Sequence, residues 1–239
     1  MTTSDMQAIT LYYAPDNASL IVRMLLEELE LVYKTELVDR SAKEQQSERY
    51  LHLNPEGLIP VCIINGDPVF ETAAILLSLA DSSQAFTVSL KHRKRPQFLK
   101  WLFYLSNSLH ADLRQRFYPQ KYAGQNRQSL QDFALLTLDR MNRRFAIFDN
   151  AYANSAADYL FGDEPTIVDL YLAVCFRWAQ LYPIECNSDF ETSGLTAIRQ
   201  MAERLERRPF IQKACALEGI TGMFFSQPEY ADPPEGVAL

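Results

Sequence analysis

Residues Ile9 to Leu37 place the tightest limit on what this chain can fold into, because they run strand, helix, strand without interruption. Ile9–Tyr13 is rich in β-branched and aromatic residues and ends at Ala14-Pro15-Asp16-Asn17, a turn. From Ser19 the pattern becomes helical. Ile21, Leu25 and Leu29 recur at i, i+4 and i+8 beside Val22 and Leu26, while Arg23, Glu27, Glu28 and Glu30 occupy other faces. Tyr33, Thr35 and Leu37 then alternate with Lys34 and Glu36, a strand period. Two strands joined through a crossover helix are expected to pair in parallel.

A polar, partly helical stretch covers Ser41 to Leu53. Pro60-Val61-Cys62-Ile63-Ile64 and Pro68-Val69-Phe70 then flank Asn65-Gly66, a dipeptide suited to the positive φ angles of a tight hairpin. Thr72 to Ala80, with Ile75, Leu76 and Leu79 on one face, closes the unit as a helix. The order βαβ, then ββα, predicts a mixed four-stranded sheet with helices on its faces, an α/β domain over residues 1–82. Residues 83–95 read as a linker and residues 96–226 as an all-helical domain. Its first helix carries the stripe Leu99, Leu102, Phe103, Ser106, Leu109 and Leu113, and its second runs from Phe133 to Phe148. A third, apolar nearly all round from Val168 to Trp178, is expected at the centre of this half. Leu195–Leu205 and Phe210–Leu217 are the last helices, and residues 227–239, with three prolines, read as an extended or disordered tail.

Composition narrows the function. The net charge is −7, and the longest basic run is Lys91-His92-Arg93-Lys94-Arg95, so a phosphate-tracking surface for nucleic acid is not expected and the run reads as solvated linker. Cys62, Cys175, Cys186 and Cys215 lack the paired spacing of a zinc or dithiol site; neither a metal nor a disulfide framework is expected, and a reducing compartment fits. Met1-Thr2-Thr3-Ser4-Asp5 carries no leader pattern and no apolar run is long enough to span a membrane, which points to the cytoplasm.

Specific motifs go further. Asn54-Pro55-Glu56-Gly57-Leu58-Ile59-Pro60-Val61 resembles the NPxGxxPxL stretch of the glutathione transferase superfamily, and Glu71-Thr72-Ala73-Ala74-Ile75 resembles its ES-x-AI motif with Thr for Ser. Leu11-Tyr12-Tyr13, Leu25-Leu26-Glu27-Glu28-Leu29, Thr166-Ile167-Val168-Asp169 and Arg208-Pro209-Phe210 are similar to further family segments. The resemblance spans residues 9 to 219. It implies a thioredoxin-like first domain followed by an all-helical one, a homodimer, and glutathione as co-substrate with an electrophilic small molecule as its partner in reaction.

The resemblance also implies roles for individual residues. Pro60 would be cis, and Leu58, Ile59 and Pro60 would offer an open edge to the cysteinyl main chain of glutathione. Glu71 and Thr72, at a helix start, would take the γ-glutamyl end, Thr72 as hydroxyl donor and Glu71 as acceptor for the ammonium. An ordinary cysteinyl thiol has a pKa of about 8.5, so a donor aimed at the sulfur is needed to hold it as thiolate near neutrality. Tyr13, Asn17 and Ser19 are the candidates, and Ala18 stands where cysteine-type members carry their cysteine. An Asn17 donor would align the chain with members that reduce disulfides or peroxides. The altered turn equally suits a protein that keeps the fold and only binds partners.

Tyr104, His110, Phe117 and Tyr118, with Tyr122, are expected against the acceptor substrate, His110 more as a structural residue than as a base. Thr166 and Asp169 have capping-box spacing, with Pro165 and Leu170 placed as a staple. They are expected to hold a helix start, at a cost on removal of about 1 kcal/mol or somewhat more.

Overall fold

The parallel pair is present: β1 (Ile9–Tyr13) runs alongside β2 (Tyr33–Leu37), joined through α1 (Ser19–Glu28), with Ile9 opposite Tyr33 and Tyr13 opposite Leu37. The structure, a computed structural model, describes residues 9–183 and 190–238; Cys186 and the Met1–Asp5 start lie outside the described residues. After a 3₁₀ turn (Glu44–Gln46) and the short α2 (Glu48–Leu51), β3 (Val61–Ile64) and β4 (Asp67–Phe70) form the hairpin expected around Asn65-Gly66. Their φ angles of 56° and 90° are the left-handed pair such a turn demands. The sheet order is β2-β1-β3-β4, with β3 antiparallel to both neighbours, and α3 (Thr72–Ser83) follows. This is a thioredoxin-like domain.

Strand alternation distributes the core. Ile9, Leu11 and Tyr13 are buried and Thr10 and Tyr12 only half so. Tyr12 meets the Tyr50 ring edge-on at 6.1 Å, and Tyr50 packs with Val38 and Val61 in a separate small core.

By contact the chain divides into two units. The first joins residues up to Thr87 with Arg207–Gly222 and the segment from Glu229; the second holds Val88–Glu206 and Met223–Pro228. In the first unit α1 packs on α3 and on α10 (Pro209–Leu217), so residues Ser19 to Leu26 are buried on every face. Arg23, expected on an outer face, is therefore 4% exposed. The helix that covers it arrives from far along the chain, which a local pattern cannot register. The segment after Glu229 is extended on the same unit. Asp232 N–H donates to Gly219 O at 2.9 Å, and a Cβ at Gly236 would stand 2.9 Å from Leu37 Cδ1.

The second unit is helical: α4 (Arg95–Tyr104), a wider π-type turn (Leu105–His110), α5 (Ala111–Phe117), α6 (Gln120–Ala123), α7 (Arg127–Ala153), α8 (Ile167–Leu181) and α9 (Thr196–Glu206). Two-residue strands β5 (Gly222–Met223) and β6 (Gln227–Pro228) pair near the end of the chain. The buried stripe of the first helical run is Phe98, Leu102, Leu105, Leu109 and Leu113, and Phe103, expected in it, is half exposed because it lies one position round the helix from Leu102. α8 is buried nearly throughout, as its all-round apolar pattern predicts. Lys91–Lys94 are exposed, but Arg95 is buried and donates to Val88 O at 2.8 Å, so it starts α4 rather than extending a solvated run.

Candidate functional site

Strand register gathers the candidate residues at one end of the sheet. Tyr12 stands opposite Val61 and Val61 opposite Phe70, so Tyr13, Pro60 and Glu71 come next at the same end. The β1–α1 turn, the start of β3 and the start of α3 are thereby neighbours.

The loop leading into β3 is organised by Asn54, which is 2% exposed. Its Nδ2 donates to Leu58 O at 2.8 Å and its Oδ1 accepts from Glu56 N–H at 3.1 Å. Tyr50 Oη donates to the same Leu58 carbonyl at 2.8 Å, so that carbonyl is already engaged within the protein. Gly57 has φ 61°, and a Cβ there would lie 2.8 Å from Gln45 O, which restricts the position to glycine. The Ile59–Pro60 bond is cis; Pro60 is buried and Ile59 half-buried.

At the start of α3, Glu71 has φ 70° and ψ 110°, a strained backbone for a residue with a side chain. Its carbonyl accepts from Ala74 and Ile75 N–H at 3.0 Å each. Its carboxylate is exposed, and neither it nor the hydroxyl of the buried Thr72 has a partner among the described residues. Thr72 stands at the first helical position and does not cap. A helix N-terminus, a hydroxyl and a carboxylate therefore stand together at this end of the sheet.

Donors in the β1–α1 turn have different fates. Ser19 is fully buried; its Oγ donates to Ala14 O at 3.0 Å and accepts from Ala14 N–H at 3.3 Å, which uses its single proton inside the turn. The Tyr13 hydroxyl donates to Glu235 Oε1. Burial, together with that carboxylate, holds its proton well above the ordinary tyrosine range. Asn17 is partly exposed between buried neighbours, and its Oδ1 accepts from Ala18 N–H at 2.7 Å. That bond orients the amide, and Nδ2 is left with no partner among the described residues.

The turn is fastened from outside. Asp16, at φ 47°, donates its N–H to Glu218 Oε2 at 2.8 Å, while Glu218 Oε1 accepts from Arg23 Nε at 2.8 Å. Glu218 is fully buried, and burial pushes its carboxyl up to about 7 against the pull of Arg23 and the Asp16 amide. The Arg23 guanidinium also lies 4.4 Å from the Tyr13 ring centroid. Glu218 and Glu235 escape sequence reasoning, since neither belongs to a motif and both act on residues some two hundred positions earlier.

The aromatic candidates lie in the helical unit. Tyr104 packs on Trp101 and Phe148, Phe117 on Tyr118 and Tyr182, and exposed Tyr122 stacks on Phe133. His110 Nδ1 is 2.6 Å from Tyr171 Oη and its ring packs against Trp178, and burial lowers its pKa to about 4. Its ring is thereby held neutral within the packing of the helical unit. Asp169 accepts from Thr166 N–H and Oγ1, from Leu160 N–H and from Tyr152 Oη, with Thr166 capping Val168 N–H, which makes the expected capping box. Cys62, Cys175 and Cys215 are buried, and burial pushes the Cys62 thiol up to about 12, far from nucleophilic. Among the described residues no metal-ligating cluster is present and no helix is long and apolar enough to cross a membrane.

A thioredoxin-like domain with its cis-proline and helix-start elements at one sheet end, followed by a mainly helical unit, is the architecture of this chain. Models of the glutathione S-transferase N-terminal domain and C-terminal domain match residues 7–81 and 99–209. The chain belongs to the glutathione S-transferase family. It is 25% identical over 214 residues to glutathione S-transferase GstA of Escherichia coli O157:H7, covering 88% of this chain and 98% of GstA. It is 27% identical over 209 residues to the disulfide-bond oxidoreductase YfcG of Escherichia coli strain K12, covering 84% and 91%. Its fold matches the glutathione transferase URE2P8 from Phanerochaete chrysosporium, solved with oxidized glutathione, at a TM-score of 0.75 and 20% identity, covering 91% and 97%.

Proposed function

We propose that this protein binds glutathione at the sheet end formed by Ile59, Pro60, Glu71 and Thr72, and holds its sulfur as a thiolate with Asn17 Nδ2 as the donor. One observation carries the assignment of the donor. Of the three side chains in reach of the turn, Ser19 spends its proton on Ala14 O and Tyr13 on Glu235, whereas the Asn17 amide keeps its donors. An amide N–H aimed at sulfur favours the anion over the thiol and lowers the pKa of the bound thiol. The thiol proton passes to solvent, since Asn17 stays a donor throughout. Ile59 supplies main-chain contacts to the cysteinyl unit, and the unpartnered Thr72 hydroxyl and Glu71 carboxylate take the γ-glutamyl carboxylate and ammonium.

The thiolate is then transferred to an electrophilic carbon: a C–S bond forms and the leaving group departs with its electron pair. GstA, a transferase by name, supports this. A second reading makes a disulfide sulfur the electrophile. The glutathione thiolate forms a new S–S bond, the old one breaks, and the other half leaves as thiolate. The Asn17 donor, the alanine at position 18 and the likeness to YfcG, named a disulfide-bond oxidoreductase, support it. We further read the protein as a cytoplasmic two-fold dimer, with Tyr104, Phe117 and Tyr118 toward the electrophile.

Glutathione at millimolar concentration is expected to raise the melting temperature. Turnover of a chloronitrobenzene against turnover of a small disulfide separates the two reactions. Binding without either turnover would sink the enzymatic reading and leave a partner-binding protein.

A further inference from the structure

The turn that carries Asn17 is tied from within by Ser19 and fastened from outside by Glu218. Asp16 sits at φ 47°, in the left-handed region, and its N–H donates to the Glu218 side chain. A non-glycine residue stays there only when its surroundings over-determine it. The surroundings of Asp16 include the carboxylate of Glu218, which closes α10. The main chain at Glu218 is pinned by the helix end, where Glu218 N–H donates to Cys215 O at 3.0 Å and Ile220 N–H donates to the same carbonyl at 3.0 Å. The side chain then reaches across with one oxygen on Asp16 N–H and the other on Arg23 Nε, each at 2.8 Å, and with no exposure to solvent. Asn17 lies between the two anchored points, residue 16 in the turn and residue 23 on the helix.

We infer that Glu218 is a positioning residue for thiol activation, acting through the Asp16 amide and Arg23 to hold the Asn17 amide on the glutathione sulfur. The inference rests on the glutathione-thiolate reading above. A solvent-exposed ion pair would add little, but a buried carboxylate with both oxygens engaged leaves the turn a single geometry. The groups facing it are Arg23 from α1 and Asp16 from the turn, with Tyr13 of β1 nearby. Among the described residues Glu218 hydrogen-bonds to Asp16 and Arg23, and not to Ile59, Glu71 or Thr72, the residues assigned to the rest of the tripeptide. Positioning and binding are therefore separable.

The test compares wild type, Asn17→Ala, Glu218→Gln and the double variant, with the pKa of bound glutathione read from the ultraviolet absorbance of its thiolate. Glutamine keeps the shape but cannot accept on both sides, so Glu218→Gln is expected to raise the bound thiol pKa and lower kcat by about tenfold, with KM for glutathione changed less than about threefold. Adding Glu218→Gln to Asn17→Ala is expected to cost nothing further, since Glu218 acts through Asn17. Should Glu218→Gln fail to fold with Arg23 left unpaired, R23M/E218L removes both charges together and gives the same readout. A wild-type protein that leaves the bound thiol at its solution pKa overturns the glutathione-thiolate reading itself. A lowered pKa in wild type, lost in Asn17→Ala but kept in the Glu218 variants, overturns the positioning role alone. So does a Glu218 loss that adds in full to that of Asn17→Ala.

Discussion

Three polar side chains at the end of β1 differ in what already holds their protons, and that difference decides which can serve a ligand. Ser19, the strongest hydroxyl candidate by position, is an internal tie of the turn. Ser19→Ala is expected to cost about 1 kcal/mol of stability and to leave the bound-thiol pKa unchanged. Asn17→Ala is expected to lower kcat/KM for glutathione by about a hundredfold, as removal of one donor to an anion does elsewhere. Denaturant midpoints and steady-state kinetics on the two variants separate the roles. At the other end of the tripeptide, Thr72→Ala removes a hydroxyl with no internal partner, so KM for glutathione is expected to rise with kcat nearly unchanged. The sequence narrowed the donor to three residues and no further, because a residue's name says what it can donate and not what is there to accept.

Helix termini and packed helix pairs set the next scale. The cap at α8 does more than its four-residue motif implies. Asp169 is fully buried and takes donors from Thr166, Leu160 and Tyr152, so it ties the preceding loop and α7 to the helix start. Asp169→Ala leaves all of these unsatisfied and is expected to cost about 3 to 5 kcal/mol, well above an exposed cap, by denaturant unfolding. The motif was legible; the added partners were not, because Tyr152 is seventeen positions away on another helix. The contact between the π-type turn and α8 carries a pH signature. Burial, with a smaller push from Arg114, lowers His110 to about 4 from an ordinary value of 6.5, while Tyr171 faces its Nδ1. The unfolded chain therefore binds the proton more readily than the folded one, and stability falls as pH drops from about 6.5 to 4. His110→Phe is expected to flatten that limb of a plot of stability against pH.

At the scale of the whole chain, the first unit is completed by residues that come last. α10 covers the Arg23 face of α1, Glu218 fastens the β1–α1 turn, and the segment after Glu229 delivers Glu235 to Tyr13, Gly236 to Leu37 and the Ala238 carbonyl to Arg40. Deleting residues 229–239 removes several such contacts and is expected to cost about 2 to 4 kcal/mol. Gly219→Ala should approach the same loss in the full-length chain, because the new Cβ would lie 2.0 Å from Asp232 O, yet cost only about 1 kcal/mol of backbone strain once the tail is gone. Paired thermal melts check this. The sequence by itself determined the strand and helix order, the Asn65-Gly66 hairpin and the Thr166–Asp169 cap. Each is written in side-chain period or turn chemistry over a few neighbouring residues. Only the tertiary structure decided which donor of the β1–α1 turn remains available and what steadies it, because those answers depend on acceptors brought into contact from Glu218 and Glu235, 202 and 222 positions away. Local pattern reports the environment that a residue's near neighbours create; the allocation of a buried proton is settled by whichever group folding carries to it.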